Sequence, residues 1–469
     1  MDKTSFKQSL GLVDATMIVA GSMIGSGIFI VSADIARNVG SAGWLILVWV
    51  ITGVLTITAA LSYGELSSMF PKAGGQYVYL KEAFNPLTGF LYGWSFFSVI
   101  QTGSIAAVGV AFSKFAAYIF PSLSENNCIA NLGFIEISAA QLVSILLIVL
   151  LTYINTKGIK KGKLIQTSFT IAKLAALFGM IIFGFILAAD KQIWNANWST
   201  GFQLQKLETD SMVSYTTLAA IGAIAGSMVG SLFSSDSWNN VTFIAGEIKN
   251  PQRNIGLSLF LGTFMVTIIY VATNLMYISV MPLHEIAFAA NDRVGVVASN
   301  HIFGQTGTII IAILLMISTF GCNNGLILSG ARVYYTMAKD GLFFKSVGTL
   351  NRDGVPGKAL WMQCAWASVL CLSGKYNELL DYVIFAVLIF YILTIAGIFR
   401  LRRLKPQLPR PYKAFGYPVL PFLYILAASI ICIFLLIYKS KNTGPGLLIV
   451  LIGIPVYFLA LKRKPGNKD

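Results

Sequence analysis

An apolar run over residues 12–35 is long enough to cross a bilayer as a helix, yet its centre reads AGSMIGSGIF, residues 20–29. Gly21, Gly25 and Gly27 fall there, with Ser22 and Ser26 between them. Each glycine weakens a helix by about 1 kcal/mol relative to alanine, so the spacing predicts a span that breaks at mid-depth. A break exposes backbone N–H and C=O groups that lipid cannot satisfy, and they must face protein or a wet cavity. Nearly the same words return at residues 225–233, AGSMVGSLF, again inside an apolar run. Glycine-interrupted spans at matching places in two halves point to a solute-binding site near the bilayer midplane.

Of the 469 residues, 56% are hydrophobic and only 11% charged, with a mean hydropathy of +0.73. A soluble domain carries charge on about 25% of its residues. The chain is therefore an integral membrane protein, all-α because apolar runs near twenty residues recur throughout. Spans are expected near 12–35, 42–69, 86–120, 138–156, 164–189, 212–248, 255–281, 306–339, 358–373, 379–399, 418–438 and 444–461. Twelve spans put both termini on one side of the membrane.

The net charge of +15 raises nucleic acid as a partner, but its placement reads as topology. Roughly 25 of the 34 Lys and Arg residues lie in the termini and in alternate loops, among them KGIKKGK (157–163), RLRRLK (400–405) and LKRK (461–464). By the positive-inside rule these are cytoplasmic, both termini included. The partners called for are the lipid bilayer and a small solute, with no nucleic acid. Span 1 is too long for a signal-peptide core and no A-x-A site follows it. No metal or cofactor is expected. His284 and His301 have no neighbour at metal-ligand spacing, four of the five cysteines fall within spans, and Cys128 stands alone in an outer loop. Nothing resembles a Walker loop or a nucleophile elbow, so the chain is not read as an enzyme.

Along the chain, Glu65 at the end of span 2 either pairs with a gate arginine or sits in solvent. Tyr77, Leu80 and Phe84 follow at i, i+3, i+7, predicting a short amphipathic helix on the cytoplasmic surface. Gln101, Thr102 and Ser104 in span 3 either line a polar cavity or bond between helices. Lys173 lies nine residues into span 5, roughly 13 Å deep at 1.5 Å per residue. An ammonium at that depth needs a partner, so the residue is a candidate for coupling or gating. Asp236, among four serines in GSLFSSDSWNN, is a mid-membrane carboxylate with the same requirement. Three partners suit it: Lys173, a substrate amine, or a bound proton.

GSMIGSGIF, FPKAGGQYVYLKEAF, AGEIKNPQRN, ARVYYTMAKDGLFFK and RPYKAFGYPVLP are spread over nearly the whole chain. Together they resemble the L-type amino acid transporters of the amino acid–polyamine–organocation superfamily, in a bacterial-type form. The resemblance implies a LeuT-like fold in one domain, 1–469. Inverted five-helix repeats would occupy about 12–189 and 212–399, with peripheral helices over about 418–461. It implies sodium-independent transport of L-amino acids across the plasma membrane, as an exchanger of neutral amino acids, with no partner subunit expected. The substrate carboxylate would meet N–H groups around Gly25, Ser26 and Gly27. The ammonium would meet carbonyls near Met23, Ile24 and Phe233, with Phe233 also the aromatic lid. Lys173 matches the family's span 5 lysine, which takes the place of sodium and bridges spans 1 and 8. One departure stands out: the family's FAYGGWN reads FSSDSWN here, placing Asp236 where glycine is usual. A second reading therefore stands beside exchange, proton-coupled uptake of amino acids or cationic amines such as polyamines through Asp236.

Overall fold

The computed structural model describes residues 8–131, 136–209, 211–373 and 376–462. Helix α1 (Leu12–Met23) ends at the glycine cluster, and a tight turn (Gly27–Phe29) leads into α2 (Val31–Val39). The first span is thus two half-helices. Then come α3 (Ala42–Met69), α4 (Gln76–Ala83), α5 (Pro86–Ser95) and α6 (Gln101–Ile119). Helix α5 starts where Asn85 accepts the Thr88 N–H at 2.9 Å and Pro86 occupies the first turn, where its missing N–H is harmless. Between α5 and α6 the wider π-type turn Phe96–Ile100 interrupts span 3, a feature the apolar pattern does not announce. Such turns recur at functional sites.

Helices α7 (Ala139–Thr156), α8 (Ile159–Phe183) and α9 (Lys191–Trp198) complete the first half. Helix α10 (Thr217–Ser234) then stops at the second break and the short α11 (Asn240–Phe243) follows it. Next are α12 (Pro251–Val280), α13 (Leu283–Ala287) and α14 (Val294–Lys339), the last interrupted at Gly304. Helices α15 (Gly357–Ser373), α16 (Tyr376–Leu404), α17 (Val419–Tyr438) and α18 (Ser440–Lys462) end the described chain. A helix stands at each expected span, and among the described residues nine helical stretches are long and apolar enough to cross a membrane. Two small antiparallel hairpins, Cys128–Asn131 with Glu136–Ser138 and Gln205–Leu207 with Met212–Ser214, sit in loops. The terminal lysines and arginines at 1–7 and 463–469 lie outside the described residues.

Helix α12 packs along α3 and α1, α14 packs on α6 and α8, and α10 packs against α2, α17 and α3, so each broken span lies among neighbouring helices. Large apolar side chains stand exposed on the outside of this bundle, including Leu146, Ile182, Phe422 and Ile437, as a lipid-facing surface requires. Helix α4 departs from expectation. It is a helix, but Gln76, Tyr77, Tyr79, Leu80 and Ala83 are all buried. Tyr77 donates to Asp340 at 2.7 Å and Gln76 to Thr394 at 3.0 Å, so α4 is a packed inner element. Tyr79 and Ala83 lie off the Tyr77–Leu80 stripe, so packing requires cover on more than one face.

Candidate functional site

The first break begins where Ile24 turns extended, with ψ at 95°. Its N–H still reaches the Ala20 carbonyl at 2.9 Å, whereas Gly25 and Gly27 donate no backbone hydrogen bond among the described residues. Gly25, Ser26 and Gly27 are all buried. Their stretch opens a new turn, and N–H groups at such a start favour an anion.

The carbonyl end of α1 is met by a cation. Lys173 Nζ donates to the Gly21 and Ile24 carbonyls, each at 2.6 Å. The lysine is fully buried on α8, and its Cε lies against Gly321 of α14, where a Cβ would stand 3.9 Å away. Beside it Cys322 donates its thiol to the Ser22 carbonyl at 3.2 Å. An ammonium at a helix C-terminus complements the dipole, and each charge-assisted bond is worth about 1.5–3 kcal/mol.

The second break runs from Ser234 to Asn239, and Ser237 adopts the left-handed conformation with φ at 66°. That conformation is strained for any residue but glycine. The Phe233 carbonyl accepts the Asp236 N–H at 3.1 Å, and the Phe233 ring is half-buried. The two breaks touch. A Cβ built on Gly27 would stand 3.0 Å from Ser234 Cα, so only glycine fits there without displacement. Tyr270 Oη lies 3.0 Å from both the Met23 and the Ser234 carbonyls, and its single hydrogen serves one at a time.

Asp236 is 8% exposed, and its Oδ1 accepts the Tyr391 hydroxyl at 2.6 Å. Tyr391 in turn stands edge-on to Tyr63 at 5.8 Å and packs on Trp238 at 5.2 Å. These contacts narrow the alternatives left open for the two buried charges and for the substrate ammonium. Lys173 does not pair with Asp236, because α1 carbonyls take its donors and Tyr391 meets the carboxylate. The Met23 and Ile24 carbonyls, assigned to a substrate ammonium, are engaged by Tyr270 and Lys173, leaving at most their second lone pairs.

Ion pairs stand toward both ends of the bundle. On the face away from the basic loops, Arg37 binds Asp292 at 2.7 Å and Lys439 binds Asp381 at 2.8 Å. On the basic-loop face, Arg402 grips Glu65 through two bonds of 3.0 and 2.6 Å, and the Ala414 N–H adds a third at 2.7 Å. Glu65 is thus buried and paired. Arg332 and Glu247 form a pair at 3.2 Å, both within the protein. The sequence reading missed that pair; the signal available was a glutamate and an arginine near the inner ends of spans 6 and 8. Gln101 both donates to the Leu326 carbonyl at 2.6 Å and lines a cavity. Thr102 and Ser104 donate to the Phe97 and Ile100 carbonyls of the π-type turn in the same span.

A helical membrane protein whose two broken spans meet at a buried polar centre is a secondary transporter by architecture. The amino acid permease family pattern matches residues 10–459. The mouse "Large neutral amino acids transporter small subunit 2" is 30% identical over 465 residues, 98% of this chain and 83% of its own length. The mouse "Asc-type amino acid transporter 1" is 29% identical, covering 99% of this chain and 83% of its own length. The human "b(0,+)-type amino acid transporter 1" is 28% identical, covering 99% and 90%. The chain belongs to the amino acid permease family, within the L-type amino acid transporter group of the amino acid–polyamine–organocation superfamily.

Proposed function

We propose that this protein exchanges neutral L-amino acids across the plasma membrane by alternating access, without sodium. The observation that carries the reading is the Lys173 ammonium, 2.6 Å from two carbonyls at the end of α1. A cation fixed by the chain there leaves no need for one from solution. The substrate carboxylate binds the N–H groups around Gly25, Ser26 and Gly27. Its ammonium faces the Phe233 carbonyl beside the Asp236 N–H that this oxygen already accepts, with the second lone pairs of Met23 and Ile24 next to it and Phe233 closing over it. A zwitterion with charges about 2–3 Å apart suits one donor-rich and one acceptor-rich break side by side.

The halves over about 12–189 and 212–399 serve as the two moving repeats of one domain, with 418–461 peripheral, and both termini are cytoplasmic. The relatives' printed names supply the amino acid substrate. Those called "small subunit" also support a partner subunit here, against the expectation from sequence that none is needed. The test is counterflow of radiolabelled amino acid into proteoliposomes. Accumulation only when unlabelled amino acid is loaded inside supports exchange. Equal uptake into empty vesicles contradicts it.

A further inference from the structure

On the face away from the basic loops, a cavity of about 610 Å³ opens between the end of α6, the loop after it and the segment leading into α14. Small-molecule sites fall in the range of about 300–1,000 Å³. Lys114 and Arg293 line this one against a single carboxylate, Glu125. Arg293 is held in place. Its guanidinium lies 5.4 Å from the centre of the Tyr118 ring, Nε donates to the Ala290 carbonyl at 3.4 Å, and Nη1 donates to the Lys114 carbonyl at 3.3 Å. Two of the five guanidinium N–H groups are thereby used. Asn126 and Asn291 also line the cavity, and their side-chain amides form no hydrogen bond among the described residues.

An ammonium, a fixed guanidinium with donors to spare and two amides share one opening. An oxyanion suits that set, because it offers acceptors alone. A cation would meet two like charges there, and an apolar group would leave the donors unmatched.

The segment that carries Asn291 and Arg293 also faces the broken spans. Asp292, between them, accepts from Arg37 of α2 at 2.7 Å. It lines a separate small cavity with Val31 of α2 and with Val229 and Gly230 of α10. Asn291 and Asp292 both hold the left-handed conformation, with φ at 53° and 60°. Residues other than glycine keep that conformation only where their surroundings fix it. Residues 290–293 thus join the outer cavity to an ion pair on the outer half of the first broken span.

We infer that the outer cavity is a binding site for a small oxyanion, and that an anion in it holds the Arg37–Asp292 pair closed. The site lies apart from the two breaks. Its ligand comes either from a dissolved acid or from the headgroup of an anionic lipid, which present the same chemistry.

The test uses purified full-length protein for melting curves and the same protein in phosphatidylcholine vesicles for amino acid exchange. The probe is benzenesulfonate, a permanently charged oxyanion, with benzenesulfonamide as its uncharged counterpart. Benzenesulfonate is expected to raise the melting temperature. At saturating amino acid it should also slow exchange by about fivefold, the lower end of coupling between two sites. The sulfonamide should do neither. Arg293→Gln is expected to raise the half-maximal concentration about tenfold, the worth of one charge-assisted contact. Lys114→Gln should do the same, and carries the test if the first variant folds poorly. Arg37→Gln should keep the stabilisation and lose the slowing. A lipid source would show as the same Arg293-dependent slowing in vesicles containing phosphatidylglycerol, with no response to benzenesulfonate. Slowing that excess amino acid relieves places the probe at the breaks and overturns the outer site. Equal effects of probe and sulfonamide overturn it, as does an unchanged response in the folded Arg293→Gln and Lys114→Gln proteins. Slowing retained in Arg37→Gln overturns the coupling. No response to either anion overturns the site altogether. A protein that exchanges no amino acid overturns the transport reading alone, because the melting curves still decide the site.

Discussion

Gly27 and Ser234 touch so closely that a Cβ on Gly27 would stand 2.6 Å from Ser234 Cβ. The contact sets the Gly27 backbone of one broken span against Ser234 of the other, and a side chain at residue 27 must push them apart. Overpacking of this kind costs about 1–3 kcal/mol. Gly27→Val is therefore expected both to lower the melting temperature and to abolish amino acid binding. A Cβ at Gly25 would crowd only the end of the Cys322 side chain, its sulfur at 3.0 Å, with the other neighbours at 3.6 Å or beyond, and Gly25→Ala should be milder, with Cys322→Ala restoring it. Melting curves with and without amino acid check this, and a Gly27→Val protein with native stability would refute the packing argument.

Replacing Lys173 by alanine removes the cation from the Gly21 and Ile24 carbonyls and unties α1 from α8. Exchange in proteoliposomes should slow by about tenfold, about 1.4 kcal/mol, with a smaller change in the equilibrium dissociation constant. In the unsubstituted protein, transport should be equal in sodium and choline buffers. Paired measurements of rate and affinity decide it; a strong sodium requirement contradicts the role given to Lys173.

The pairs on the basic-loop face differ in depth. Arg332 and Glu247 are 0% and 2% exposed, whereas Lys405 and Glu82 are 40% and 39% exposed. Breaking a buried pair leaves an uncompensated charge and costs about 3–5 kcal/mol, against about 0–1 kcal/mol for a surface pair. Glu247→Gln should depress the melting temperature far more than Glu82→Gln. Equal shifts would show that Arg332 finds another partner.

The first break was legible because a glycine cluster inside an apolar run has few structural uses, whereas at the second Gly226 and Gly230 lie inside α10 and the helix stops just beyond them, at the polar residues 234–239. The spans were legible because bilayer thickness sets helix length. Partner choice was not. Lys173 and Asp236 both carried a mid-depth charge in need of compensation, yet only tertiary packing shows carbonyls taking one and Tyr391 the other. Tyr391 sits in an apolar run of span 10 with nothing local to mark it. The buried face of α4 was hidden for a similar reason, since an i, i+3, i+7 stripe reports one covered face and not a second.

The central claim is that the two breaks together read both charges of an amino acid. Competition for amino acid exchange by an amino acid, its decarboxylated amine and its deaminated acid tests this most directly. Loss of either charged partner is expected to weaken competition by about tenfold to a hundredfold, the worth of one charge-assisted hydrogen bond. An amine that competes as well as its parent amino acid would contradict the carboxylate site at Gly25, Ser26 and Gly27, and would favour a transporter of cationic amines working through Asp236.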